Sequence, residues 1–195
     1  MTRQGEVVRK TGETQVRVSL ALDSEGRWQG ATSVGFLDHM LELLARHGHI
    51  DLRVEASGDV HVDDHHTCED VGICLGQALD RALGNRGGIR RFGDAAVPME
   101  DALAMVALDL GGRGHLEFRA KFPTEKVGGF DTVLVEEFLN AFATHARMNL
   151  HVNVPYGRNA HHVAEAIFKA LARALDVAVS LDPRTRGVPS TKGVI

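Results

Sequence analysis

The chain has 195 residues, 44% of them hydrophobic and 25% charged, a balance that suits one globular domain or two small fused ones and excludes extensive disorder. Its net charge of -4 offers no basic field for nucleic acid or an anionic membrane, and no apolar run reaches the roughly 20 residues that span a bilayer. Two cysteines, Cys68 and Cys74, are too few for a disulfide framework, and the polar first ten residues lack the apolar stretch of a signal peptide, so a reduced cytoplasmic setting is expected.

The first predicted element is a strand over residues 15–22, where polar and apolar side chains alternate before the turn Asp23-Ser24-Glu25-Gly26. Residues 36–47 have helical spacing, with Asp38 as the expected N-cap and Gly48 beyond the end. Residues 51–56 alternate again. A second helix follows His65, with Val71, Cys74, Leu75, Ala78, Leu79 and Leu83 on one face, and stops in the glycine-rich stretch 84–88. After Pro98 the same order returns. Strands are predicted over 101–111 and 116–122, a helix over 134–147, a strand over 150–154 and a strongly periodic helix over 161–176.

The two halves also match residue by residue. A shift of 98 places His47 on His145 and His39 on Glu137, while a shift of 96 places His65-His66-Thr67-Cys68-Glu69 on His161-His162-Val163-Ala164-Glu165. The chain therefore reads as a duplicated α+β unit, the first copy in residues 1–97 and the second in 98–195, with helices on one side of each sheet.

Chemistry concentrates in the repeated motif. His65 and Glu69 are four apart, as are His161 and Glu165, so on a helix each pair shares one face and can hold one ion. His66 and His162 lie about 100° around the helix and can face a different metal. A single such string arises readily by chance; two at equivalent places in a repeat do not. With His39 and its counterpart Glu137, the sequence offers two sets of four ligands: His39, His65, His66, Glu69 and Glu137, His161, His162, Glu165. Imidazole with carboxylate suits Mn, Fe, Co, Ni or Zn rather than a thiolate zinc site. His47 is a candidate for contact with substrate. Cys68 and Cys74 fall on the buried side of their helix and are expected to be inert packing.

A second constellation points to phosphate. Arg90 and Arg91 follow Gly87-Gly88, Arg113 follows Gly111-Gly112, and Ser190-Thr191-Lys192-Gly193 closes the chain. Glycine allows close backbone approach, and Arg grips phosphate through paired hydrogen bonds. Lys169, two helical turns beyond His161, lies near the same face.

These strings together resemble the imidazoleglycerol-phosphate dehydratases. The residues that carry the likeness are Phe36-Leu37-Asp38-His39-Met40-Leu41, Asp64-His65-His66-Thr67-Cys68-Glu69-Asp70, Asp109-Leu110-Gly111-Gly112-Arg113, Asn159-Ala160-His161-His162 through Lys169, and Ser190-Thr191-Lys192-Gly193. The resemblance implies a duplicated ribosomal protein S5 domain 2-like fold, two Mn2+ ions per active site and self-association to a 24-mer. It also implies a lyase of histidine biosynthesis that dehydrates imidazole glycerol phosphate to imidazole acetol phosphate through a di-manganese-bound imidazolate, which expels the hydroxyl to give a diazafulvene-like intermediate. By family position Glu13 is an acid-base and substrate residue, rivalled by Glu69 and Glu165. Arg91, Arg113, Ser190 and Lys192 would hold the phosphate with Lys169 assisting, and His39 and His47 would contact substrate. Many members carry His where this chain has Glu137, which leaves that ligand open between Glu137 and His145. A metal-dependent hydrolase, a metal-storage oligomer and an S5-like RNA-binding module are the alternatives, disfavoured respectively by the family match, the Arg and Gly loops and the acidic balance.

Overall fold

A computed structural model describes residues 3–193 and 195. The first half runs β1 (Gln4–Lys10), β2 (Thr14–Ala21), β3 (Trp28–Ala31), α1 (Gly35–Gly48), β4 (Asp51–Gly58) and α2 (His65–Leu83). The second runs β5 (Phe92–Met99), β6 (Ala102–Asp109), β7 (His115–Arg119), the small hairpin β8 (Lys126–Val127) and β9 (Phe130–Asp131), α3 (Val133–His145), β10 (Asn149–Tyr156) and α4 (Ala160–Val179). The sheets have the orders β1-β2-β4-β3 and β5-β6-β10-β7, and in each the last strand is the parallel one. The duplicated α+β unit is thus present in the topology itself.

The reason these segments form these elements is ordinary burial. In β2, Val16, Val18 and Leu20 point inward while Gln15, Arg17 and Ser19 alternate outward or to the margin. In α4, Val163, Ile167, Phe168, Leu171 and Leu175 are wholly buried, and they recur at helical spacing. A glycine on the first strand of each sheet admits the helix that covers it. A Cβ on Gly5 of β1 would overlap the Ala78 carbonyl of α2, and one on Gly93 of β5 would overlap the Ala174 carbonyl of α4. The same close approach is therefore built twice.

The halves are joined through their helices. α1 packs on α4, and α2 packs on α3. Gly72 and Gly76 set the second contact, since a Cβ there would stand 2.7 Å from the Phe138 and Phe142 carbonyl oxygens respectively. The helices so form the shared interior, and Phe138, Phe142 and Phe168 are fully buried in it. Among the described residues, no helix is long and apolar enough to cross a membrane.

Three expectations need correcting. The boundary expected at Pro98 falls inside β5, which pairs along its length with β6, so the division between sheets lies between Leu83 and Phe92. Pro98 is tolerated because β5 is an edge strand, where a missing N–H breaks no ladder. Asp38 is not the N-cap of α1: Val34 is, and the Asp38 carboxylate accepts instead from the backbone N–H and hydroxyl of Thr32. The helix begins one turn sooner than its polar residue suggests. Gly48 is the last residue of α1 rather than the residue after it, and His49 takes the left-handed cap position at φ 51°.

Candidate functional site

The packing of α1 on α4 brings three metal-type ligands together. His39 on α1 meets His161 and Glu165 on α4, and one donor atom from each lies within 4.8 Å of the others. Nε2 of His39 is 2.8 Å from Glu165 Oε1, and Nε2 of His161 is 3.1 Å from the same oxygen. Lys169, one turn further along α4, donates to the other Glu165 oxygen at 2.6 Å and also reaches Met99 Sδ at 3.2 Å. The ring of Phe36 stands edge-on to His161 and packs on Phe130 of the small hairpin. A cavity lined by His39, His161, Phe36, Asp64 and the Gly128-Gly129 turn opens beside the cluster.

The electrostatics suit a ligand set. Burial pushes the Glu165 carboxyl up, but hydrogen bonds from Lys169, His39 and His161 outweigh it and bring it down to about 2. It is a fixed anion at neutral pH. Two imidazole nitrogens aimed at one carboxylate oxygen need either protons between them or a cation in their place. Two His and one carboxylate are donors that fit a divalent transition ion such as manganese. Burial also lowers the affinity of His47 for its proton, helped by Lys169, Arg173 and Arg46.

The grouping of ligands differs from the expected one. His39 joins the motif of the second half, not that of the first, because α1 lies on α4 and not on α2. Among the described residues the first motif forms no such cluster. His65 and His66 are half-buried at the start of α2, Glu69 is exposed, and Glu137 is half-buried on α3. His145 faces Glu69 electrostatically, although burial and Arg9 hold its proton affinity down. Glu13, on the turn between β1 and β2, lies 3.8 Å from His66 Nδ1 and is exposed.

The second His of each motif is held by an aspartate that the sequence did not single out. His66 Nδ1 pairs with Asp59 at 3.0 Å, and His162 Nδ1 pairs with Asp101 at 2.6 Å. These hydrogen bonds raise both imidazoles above their ordinary value and bring Asp101 down to about 2. The sequence gives no signal for either contact, since the partners are set by how the loops fold back.

The phosphate-type residues form a separate cavity of about 300 Å3, lined by Arg91, Gly111, Gly112, Arg113, Ser190, Thr191, Lys192 and Ile195. Asp109 grips the Arg91 guanidinium through Nε at 2.6 Å and Nη2 at 2.9 Å, and Nη1 donates to the Pro189 carbonyl at 2.8 Å. Among the described residues the other two of its five N–H groups have no hydrogen-bond partner. Lys169 is not part of this cavity. It was expected to assist with phosphate, but its ammonium is committed to Glu165 in the imidazole cluster. Cys68 and Cys74 are free and fully buried, and burial raises both thiols, Cys74 to about 11.

The cluster and the cavity stand at opposite ends of α4. Arg91 bonds through its backbone N–H to the Ala178 carbonyl. Ala178 is seventeen residues beyond His161, about 26 Å along the helix at 1.5 Å per residue.

Comparison with known proteins finds relatives that match along the whole chain. Residues 32–175 match the family model described as imidazoleglycerol-phosphate dehydratase. The chain is 59% identical over 195 residues to the imidazoleglycerol-phosphate dehydratase of Geobacillus kaustophilus, covering 100% of both chains. It is 57% identical over 193 residues to that of Bacillus subtilis, covering 99% of this chain and all of the relative. Among solved structures, the Staphylococcus aureus enzyme superposes with a TM-score of 0.83 at 40% identity, over 92% of this chain and 99% of that one. The Pyrococcus furiosus enzyme gives 0.83 at 36% identity, over 97% of this chain and all of that one.

Proposed function

The chain belongs to the imidazoleglycerol-phosphate dehydratase family, and from that premise we propose that it removes water from imidazole glycerol phosphate using two manganese ions, in an active site shared between copies of the chain. The convergence of His39, His161 and Glu165 is the observation that carries this reading. Those three residues would hold one ion. His65, His66, Glu69, Glu137 and His162 are the candidates for the other. Bound manganese would supply Lewis-acid polarisation and a template for the ring.

The rest of the chemistry falls to side chains. The hydroxyl on the ring-adjacent carbon leaves as water, a carboxylate takes the proton from the next carbon, and the resulting enol becomes the ketone. Glu165, held near 2 and tied to Lys169, is a poor proton acceptor and serves as a ligand. Glu13 and Glu69, both exposed, are the candidates for the base. His47, kept neutral by burial, can accept or donate a hydrogen bond to the substrate hydroxyls. Arg91, Arg113, Ser190 and Lys192 would take the phosphate, and Arg91 is pre-set for this by Asp109.

Sharing between copies follows from length. A single imidazole ring, three carbons and a phosphate cannot bridge about 26 Å of helix, even with an extended Arg side chain reaching back. This length supports a site in which one copy's imidazole cluster works with another copy's phosphate cavity, as assembly to a 24-mer would allow. Two buried free thiols agree with a cytoplasmic setting.

The test is turnover of imidazole glycerol phosphate by chelator-stripped protein before and after manganese is returned. Activity that appears only with the metal is the expected result; none in folded, metal-loaded protein would sink the reading. Sharing is tested by dissociating and mixing Glu165→Gln and Arg113→Ala variants, each inactive alone. Partial recovery on reassembly is expected, and no recovery would argue for a site within one chain.

A further inference from the structure

The two aspartates that face the second His of each motif occupy different places in the repeat. Asp101 lies on the turn between β5 and β6, whereas Asp59 lies just after β4. Asp101 uses both oxygens. Oδ2 accepts from the backbone N–H groups of Arg158 at 2.5 Å and Asn159 at 3.0 Å, and Oδ1 accepts from His162 Nδ1 at 2.6 Å. Asn159 is in turn the N-cap of α4, accepting from the His161 N–H. One carboxylate thus ties a hairpin turn, the entry to α4 and an imidazole ring together. Asp59 uses one oxygen on His66 Nδ1, while its Oδ1 is buried with no hydrogen-bond partner among the described residues.

We infer that Asp101 and Asp59 are positioning residues that fix the tautomer of His162 and His66, so that each ring carries its proton on Nδ1 and offers a bare Nε2. An ionised carboxylate can only accept, which forces a proton onto the nitrogen that faces it. The far nitrogen is then left with its lone pair. Among the described residues no hydrogen bond engages Nε2 of His162, and Glu100 Oε2 stands 3.9 Å from it. The role of those Nε2 atoms as metal ligands rests on the proposed function, but the tautomer itself does not.

The geometry makes the two aspartates unequal under one substitution. In Asp101→Asn the amide must keep its oxygen on the two backbone N–H groups, because an NH2 there would meet two donors. Its NH2 is then turned to His162 Nδ1, which has to accept, and the ring proton moves to Nε2. In Asp59→Asn the side chain can keep its oxygen on His66, since among the described residues Oδ1 has no hydrogen-bond partner to hold an oxygen there. The first change should switch a tautomer and the second should not.

The experiment records nitrogen-15 shifts of the histidine rings in metal-free protein at alkaline pH, where the rings are neutral, together with manganese affinity by titration calorimetry. Wild-type protein should show the Nδ1–H form at His162 and His66. Asp101→Asn should show the Nε2–H form at His162 and bind manganese roughly 10- to 100-fold more weakly, as for other lost outer-shell partners. Asp59→Asn should retain the Nδ1–H form. An Nε2–H ring in the wild-type protein, or no tautomer change in folded Asp101→Asn, would overturn the inference without any variant having to be active. A tautomer switch with unchanged manganese affinity would support the inference and overturn the ligand role of His162 instead.

Discussion

The starts of α2 and α4 carry the same five-residue pattern yet stand in different surroundings. At α4, His161 and Glu165 find His39 within hydrogen-bond reach, and Glu165 is buried and locked by Lys169. At α2, His65 is half-buried and Glu69 exposed, and among the described residues Glu137, the counterpart of His39, forms no such cluster with them. The comparison teaches that a motif fixes which face of a helix carries ligands, while the neighbouring helix decides whether they become a site. Among the described residues one copy of the pattern is joined by a third ligand-type side chain within the chain; the other is not.

The sharpest way to break this contrast is to remove the anchor of the complete site. Glu165→Gln should lose more than about 100-fold in turnover together with bound manganese, since a direct ligand should matter more than an outer-shell one. Full metal content in that variant, measured by elemental analysis of the purified protein, would refute the ligand role. Glu69→Gln is the matching change at the open site. Its metal should be lost only from the assembled protein, whereas dissociated chains of wild type and variant should bind equally through the α4 cluster. Equal loss in both states would show that α2 binds without help from another copy.

A third test concerns the helix contacts that separate the two environments. Gly76→Ala would drive a Cβ into backbone of α3, where Phe142 O and Ala146 N stand 2.7 Å away, and should cost about 1–3 kcal/mol by overpacking. Chemical denaturation measures this directly. Gly48→Ala on α1 meets Ile50 Cδ1 at 3.3 Å, the end of a side chain that can yield, and should cost less. The smallest effect is on acid stability. Without metal, Glu165 is held well below its ordinary 4.5, so its contribution to folding is complete above that pH and fades as pH falls toward about 2. The difference in melting temperature between wild type and Glu165→Gln should therefore narrow over that interval. A constant difference would mean that the charge of Glu165 is not what stabilises it.

Much of the architecture was legible in the sequence. The period-two run of β2, the helical spacing of α4 and the paired motifs each report a local rule. β1 and β5 were harder to see, because edge strands with a single buried glycine and one or two small apolar residues do not alternate strongly. The ligand grouping was misread for a different reason. His39 is close to His65 along the chain, but nothing in either segment says that α1 turns its ligand face to α4. Asp59 and Asp101 were invisible likewise, since a carboxylate that orients a distant ring leaves no periodic trace. The Gly-Arg strings made the gathering of Arg91, Arg113, Ser190 and Lys192 around one cavity legible, while the commitment of Lys169 to Glu165 depended on which way one side chain turns.

The pairing of α1 with α4 has a consequence for the order in which the protein comes into being. His39 and Glu165 are 126 residues apart. At about 5–20 residues per second of synthesis, the first ligand emerges roughly 6–25 s before its partner. During that interval His39 stands without the two α4 groups that meet it in the finished fold. The cluster can close only when the last helix has left the ribosome and docked, so it belongs to a nearly finished fold.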